Sequence, residues 1–184
     1  MPSVVSSLSD PNLITTLLNG GIVVLRTDTL YGILCKADNE QAVQRVYDIK
    51  RRDAAKSPIV LLANQSQLYE APPASAQPVL EKMWPGPYSI VLPATHAPTW
   101  IIRENGSVAY RIPAYDSLRY LLEHTGPLIA PSANPEGQSP ALTVEQAVGY
   151  FGEHVDMYVD GGAVTDTRPS TLLRFNGSTF DKLR

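Results

Sequence analysis

Lys50, Arg51, Arg52 and Lys56 place four cations in a seven-residue window of a chain whose formal net charge is −3. Only Asp53 offsets them inside that window. Like charges this close repel unless water screens them or an anion sits among them. A solvated helix end meets the first condition, because lysine and arginine are favoured at the C-terminal end of a helix dipole. On the cluster alone that is the plainer reading. A phosphate-bearing ligand meets the second, with arginine offering a planar fork and lysine a point charge. The other residues able to do chemistry are hydroxyls and amides in short loops: Thr27-Asp28-Thr29-Leu30-Tyr31-Gly32, Ala130-Pro131-Ser132-Ala133-Asn134 and Pro169-Ser170-Thr171. Small residues let backbone groups and hydroxyls approach a ligand closely. Taken singly, each of these loops reads first as a cap or an ordinary turn.

Other chemistries leave no trace. There is no Gly-x-x-x-x-Gly-Lys-Ser/Thr phosphate loop and no Gly-x-Gly-x-x-Gly turn. His96, His124 and His154 lie about thirty residues apart with no cysteine pair, so a zinc site is not expected. A Ser-His-Asp arrangement stays open, although no Gly-x-Ser-x-Gly elbow marks a nucleophile. The single cysteine, Cys35, forbids an intrachain disulfide; following Ile33 and Leu34, it reads as a buried thiol in a reducing compartment. Met1 to Ser9 lacks the basic start and long apolar run of a signal peptide, and no stretch nears the roughly 18 apolar residues of a membrane helix. The expectation is a soluble cytoplasmic protein.

Helices and strands alternate to position these loops. Ser9-Asp10-Pro11 starts a helix with Leu13, Ile14, Leu17 and Leu18 on one stripe, stopped by Gly20-Gly21. Ile22 to Leu25 is a continuous apolar run, as a strand covered on both faces should be. Ile33 to Cys35 returns after the turn. Asn39 caps a helix carrying Ala42, Val43, Val46 and Ile49, which ends at the basic cluster. Strands are expected at Ile59–Leu62, Tyr88–Leu92, Val108–Ile112, Leu128–Ala130 and Val155–Val159, with helices at Ser75–Trp84, Ser117–His124 and after Thr143. Asn176-Gly177 signals a closing hairpin. Parallel crossovers and a hairpin together predict one α/β domain over residues 1–184, with a twisted mixed parallel/antiparallel sheet and flanking helices. Ligands of open α/β sheets bind beyond C-terminal strand ends, where two of the three loops fall.

The loops are more specific in combination. Thr27 to Gly32, Lys50-x-Arg52, Trp84-Pro85-Gly86-Pro87, Arg111-Ile112-Pro113, Pro131 to Asn134 and Pro169-Ser170-Thr171 occur in that order. This series resembles the YrdC/TsaC family of threonylcarbamoyl-AMP synthases, from about Gly20 to the end of the chain. The resemblance implies a deep, positively charged cavity. It also implies synthesis of threonylcarbamoyl-adenylate and pyrophosphate from L-threonine, bicarbonate and ATP, with Mg2+ arriving on the ATP. The product would feed modification of a tRNA adenosine through a downstream threonylcarbamoyl transferase complex, with tRNA or double-stranded RNA as a further partner.

Carried onto this sequence, the resemblance makes Lys50 and Arg52 the catalytic cations holding phosphate oxygens. Lys56, Ser132, Asn134, Ser139 and Arg184 join them at the nucleotide, and Thr29, Arg111, Ala130 and Ser170 surround the threonine. Arg111 would pair the threonine carboxylate, Ala130 would contribute main-chain groups, and Tyr31 is either a cavity wall or a plain core tyrosine. Asp28 is the nearest carboxylate, read as a turn former. The sequence departs from the family at Arg26, where proline is usual, at Ala130, where serine or threonine is common, and at Glu136, where a small residue is usual. Two other functions compete: a related acyl- or carbamoyl-adenylate enzyme of the same fold, and a non-catalytic RNA-binding module gripping phosphates through the basic cluster and Arg26.

Overall fold

The computed structural model describes residues 3–53, 55–102 and 106–184; the start of the N-terminal stretch read above, Met1 and Pro2, lies outside them. The short strand β1 (Ser3–Val5) precedes helix α1 (Pro11–Leu18). Asp10 caps α1 by accepting the Asn12 N–H at 2.8 Å, with Pro11 in the first turn, and the chain leaves through Gly20 at φ 80°. The hairpin β2 (Val23–Arg26) and β3 (Tyr31–Lys36) follows, then α2 (Glu40–Lys50), capped by Asn39 accepting the Ala42 N–H at 3.0 Å. Next come β4 (Ile59–Leu61), α3 (Gln77–Met83), β5 (Tyr88–Pro93), α4 (Thr99–Ile102) and β6 (Ser107–Arg111). The chain ends with α5 (Asp116–Thr125), β7 (Leu128–Ile129), α6 (Val144–Phe151), β8 (Met157–Val159), β9 (Thr171–Phe175) and β10 (Phe180–Lys182).

The ten strands among the described residues form one mixed sheet in the order β1-β8-β2-β3-β7-β4-β6-β5-β9-β10. The β1–β8, β2–β8, β4–β6 and β5–β9 pairs are parallel, the others antiparallel. Period-two alternation sends neighbouring residues of a strand to opposite faces, and in the central strands β2, β3 and β7 both faces are buried. Leu13 and Leu17 of α1 and Leu118, Leu121 and Leu122 of α5 pack with Val23, Leu25, Leu34 and Leu128. Val24, Ile33, Cys35 and Ile129 join the other cluster, with Val43 and Val46 of α2, Leu80 of α3 and Phe151 of α6. Cys35 is buried, as its apolar neighbours predicted, and burial pushes its thiol up, away from thiolate chemistry.

The expected elements form with ends shifted by a residue or two. The helix expected from Ser75 begins as a 3-10 turn (Ala74–Ala76), and the strand expected from Val155 starts at Met157. No helix among the described residues is long and apolar enough to cross a membrane. One feature of the sheet decides the site. β3 and β6 are separated by two strands, roughly 14 Å across a flat sheet, yet Arg111 at the end of β6 bonds the β2–β3 turn. The sheet is therefore strongly curled, and the turn and β6 face one another across its hollow.

Candidate active site

That hollow is a cavity of about 390 Å3. One wall is the β2–β3 turn, where Thr27 is a hub. Its hydroxyl donates to the Leu30 carbonyl at 2.8 Å and accepts the Thr29 N–H at 3.2 Å. It also accepts from Arg111 Nη2 at 3.3 Å, while Arg111 Nη1 donates to Thr29 Oγ1 at 3.2 Å. Arg111 is buried, and Asp28 answers its charge with an ion pair of 3.3 Å. The second carboxylate oxygen of Asp28 accepts the Ala114 N–H at 3.1 Å. Asp28 is thus more than the turn former expected from its position. It compensates a buried cation, and desolvation pushes the Arg111 guanidinium below its ordinary value while Asp28 opposes that shift. The Nε of Arg111 is buried without a hydrogen-bond partner among the described residues.

The opposite wall is built by the loop after β7 and the end of α2. Gly32 bridges Ser132 in antiparallel fashion, and the Ile33 N–H donates to Pro131 O at 3.0 Å. A Cβ on Gly32 would lie 3.4 Å from that carbonyl and 3.2 Å from Leu34, so glycine permits the close approach. Arg51 takes the left-handed conformation, φ 51° and ψ 38°, while its N–H and that of Arg52 close a Schellman pattern onto Asp48 O and Tyr47 O. This turn separates the basic cluster. Lys50, 2% exposed, points inward, Arg51 outward, and Arg52 into the cavity wall. The Arg52 guanidinium lies 5.7 Å from the centroid of the Tyr47 ring and donates to Ser57 O at 3.2 Å. Its Nε has no hydrogen-bond partner among the described residues.

Lys50 Nζ donates to the carbonyls of Ser132 and Asn134, 82 and 84 residues away. It therefore holds the loop as well as bringing charge to it. Burial, reinforced by neighbouring Arg52 and opposed by Glu136, lowers its ammonium to about 7. Ser132 lines the cavity and donates to Asn134 Oδ1 at 2.7 Å; the Asn134 amide spends its protons on Pro135 O and Gln138 O. Asn134 thus shapes the loop and is not among the cavity-lining residues. Three other expected nucleotide residues, Lys50 among them, also lie off that wall. Lys56 pairs with Glu136, and Ser139 is exposed, with its carbonyl accepting the Tyr150 hydroxyl at 3.0 Å.

The third wall is the end of the segment from Asp160 to Ser170. Arg26, which stands where the family usually has proline, holds this segment: its Nη1 donates to Gly161 O and Ala163 O, both at 3.1 Å. Tyr31 accepts the Gly161 N–H and donates to Gly162 O, so it is a buried anchor that also lines the cavity. Thr167, Pro169 and Ser170 complete that side. Ser170 and Ser89 share a buried hydroxyl–hydroxyl bond of 2.8 Å, and Arg184 Nη2 donates to Ser170 O at 3.2 Å. Sequence reasoning missed Ser89 and Thr167, and named Thr27 only as part of its loop. The available signal for Ser89 was a hydroxyl among the apolar residues of the expected strand Tyr88 to Leu92.

The lining therefore brings together Thr29, Arg52, Arg111, Ala130, Ser132, Ser170 and Arg184. Three of these are arginines, and no acidic side chain lines the cavity among the described residues. Such a hollow can take an anion too large for one arginine, with hydroxyls beside it. Because Lys50 is buried and Lys56 paired, the basic cluster is not a continuous exposed cationic face of the kind that grips RNA by shape.

Known proteins share this fold and sequence. The Sua5/YciO/YrdC family model, described as telomere recombination, matches residues 15–184. A threonylcarbamoyl-AMP synthase of Marinobacter nauticus is 32% identical over 164 residues, which cover 86% of each chain. The crystal structure of P. abyssi Sua5 complexed with L-threonine superposes with a TM-score of 0.89 at 27% identity, covering all of this chain and 57% of that one. E. coli YciO superposes at 0.88 and 21% identity, covering 100% and 95%, a likeness of fold.

Proposed function

The chain belongs to the Sua5/YciO/YrdC family, and from that premise we propose that it is an ATP-dependent L-threonylcarbamoyladenylate synthase, a nucleotidyltransferase. The observation that carries this reading is the pairing of two chemistries in one hollow. Arg52 and Arg184 suit a polyphosphate, while Arg111 with Thr29 and Ser170 suits a small hydroxy amino acid. The relative named threonylcarbamoyl-AMP synthase and the Sua5 complex with L-threonine support the same two halves.

In this reading the threonine carboxylate meets the planar guanidinium of Arg111, which lines the cavity beside Thr29. The threonine amine attacks bicarbonate or CO2 to give a carbamate, with loss of water from bicarbonate. A carbamate oxygen then attacks the α-phosphorus of ATP, and pyrophosphate leaves. Arg52 stabilises the charge that develops on the transferring phosphoryl group and the leaving pyrophosphate, with Lys50 fixing the Ser132 loop behind it. No covalent intermediate with the protein is required. Mg2+ travels with the triphosphate as part of the substrate: among the described residues the lining offers hydroxyls but no acidic side chain, and Asp28 is committed to Arg111 and Ala114. The product serves threonylcarbamoyl transfer to a tRNA adenosine, with the transferase complex and tRNA as the partners downstream. Mass spectrometry of the products from ATP, bicarbonate and each amino acid in turn tests the proposal. Threonine-selective formation of the carbamoyl-adenylate with pyrophosphate is expected; no adenylate with threonine, or equal amounts with every amino acid, would overturn it.

A further inference from the structure

Glu136 ties the loop after β7 to the segment after α2 at three points. Its Oε1 pairs with Lys56 Nζ, its Oε2 accepts the Asp53 N–H at 2.8 Å, and its own N–H donates to Lys50 O at 2.7 Å. An ammonium and a backbone N–H on two oxygens of one anion is a donor set that phosphate would also accept. Lys56 and Glu136 keep 53% and 35% of their side-chain surface exposed, so exchanging partners there costs little. Arg52, on the cavity wall, adds its field to the same carboxylate.

We infer that Glu136 is a built-in competitor for the nucleotide's phosphates. In the free protein it occupies Lys56 and the Asp53 N–H, which lie outside the cavity lining beyond Arg52, and it yields them when the polyphosphate extends past Arg52 out of the cavity. The inference deepens the proposed function and rests on it. A competing carboxylate weakens ATP binding, and it re-forms its own contacts as pyrophosphate leaves. Glu136 is a positioning residue that acts through Lys56 and tunes affinity for the polyphosphate end of the substrate.

Glu136→Gln keeps the size and an oxygen acceptor while removing the charge. Titration with pyrophosphate should show at least threefold tighter binding in this variant. Steady-state kinetics should show a comparably lower KM for ATP, with kcat unchanged or reduced as product release slows. Adding Lys56→Met to Glu136→Gln should return the pyrophosphate affinity to about the wild-type level. Lys56→Met alone should weaken binding, because it leaves Glu136 uncompensated beside the anion. Unchanged or weaker pyrophosphate binding by Glu136→Gln would overturn the inference, as would tightening that survives Lys56→Met. If the wild-type protein binds neither ATP nor pyrophosphate, the proposed function falls and the inference with it. If the wild type binds ATP and Glu136→Gln binds it no better, the inference alone falls.

Discussion

At the scale of single residues, Lys50 and Arg52 stand two apart in sequence but do different work. Arg52 lines the cavity, its buried Nε without a partner among the described residues, whereas Lys50 is buried and holds two loop carbonyls. Arg52→Ala should lower pyrophosphate release from ATP, threonine and bicarbonate at least tenfold, about 1.4 kcal/mol of barrier, with little change in stability. Lys50→Met should also lose activity, but by a second route: the carbonyls of Ser132 and Asn134 lose a buried partner, at about 1–3 kcal/mol of stability. The pH dependence separates the two. Lys50 is lowered to about 7 in the fold, so between that pH and the ordinary lysine range the unfolded chain binds more protons than the folded one. Stability from this group therefore rises with pH across that window, and its full penalty applies below about 7. Chemical denaturation at pH 7 and pH 9 should show wild type gaining on Lys50→Met as pH rises; a constant difference would show that Lys50 keeps its ordinary proton affinity in the fold.

At the scale of elements, the turn that ends α2 is what sorts the basic cluster. Arg51 sits in the left-handed region at φ 51°, where a Cβ costs roughly 1–2 kcal/mol. Glycine would relieve that strain but enlarge the unfolded ensemble by roughly 0.4–1 kcal/mol. Arg51→Gly should therefore stabilise the protein by about 0.5–1 kcal/mol while leaving KM for ATP unchanged, because Arg51 points away from the cavity. A higher KM in this variant would place Arg51 at the nucleotide and overturn the sorting. The elements themselves were largely legible in the sequence: α1 and α2 carry caps and an apolar stripe, and β2 is a continuous apolar run covered on both faces. β1 and α4 escaped notice because three edge residues, two of them exposed, and a single helical turn carry too little periodicity. The site was legible as a set of loops, but the partners inside it were not. Asp28–Arg111, Lys50 with the Ser132 loop, and Arg26 with Gly161 and Ala163 join positions 82 to 137 residues apart. Such pairs exist only once the sheet has curled, and local pattern carries no record of them.

At the scale of the whole molecule, the cavity belongs to no single element. Its walls come from the β2–β3 turn, the ends of α2, β6 and β7, the segment before β9, and Arg184. A ligand that bridges them stabilises the fold by mass action, about 2.7 kcal/mol at a hundred times its Kd. Arg111 is the member on which the two halves of the curl most depend, and removing it outright would leave Asp28 buried and uncompensated at about 3–5 kcal/mol. Arg111→Lys is the cleaner test: it keeps a charge for Asp28 but loses the fork that would meet a carboxylate. In thermal melts, L-threonine and ATP should each raise the wild-type midpoint by several degrees. Arg111→Lys should retain most of the ATP shift and lose the threonine shift, because in the proposed arrangement the phosphates rest on Arg52 and Arg184, while no other cation among the described residues lines the cavity for the carboxylate. Loss of the ATP shift with the threonine shift intact would reverse the assignment of the two ends of the cavity. Equal loss of both would make Arg111 a strut of the curl and nothing more.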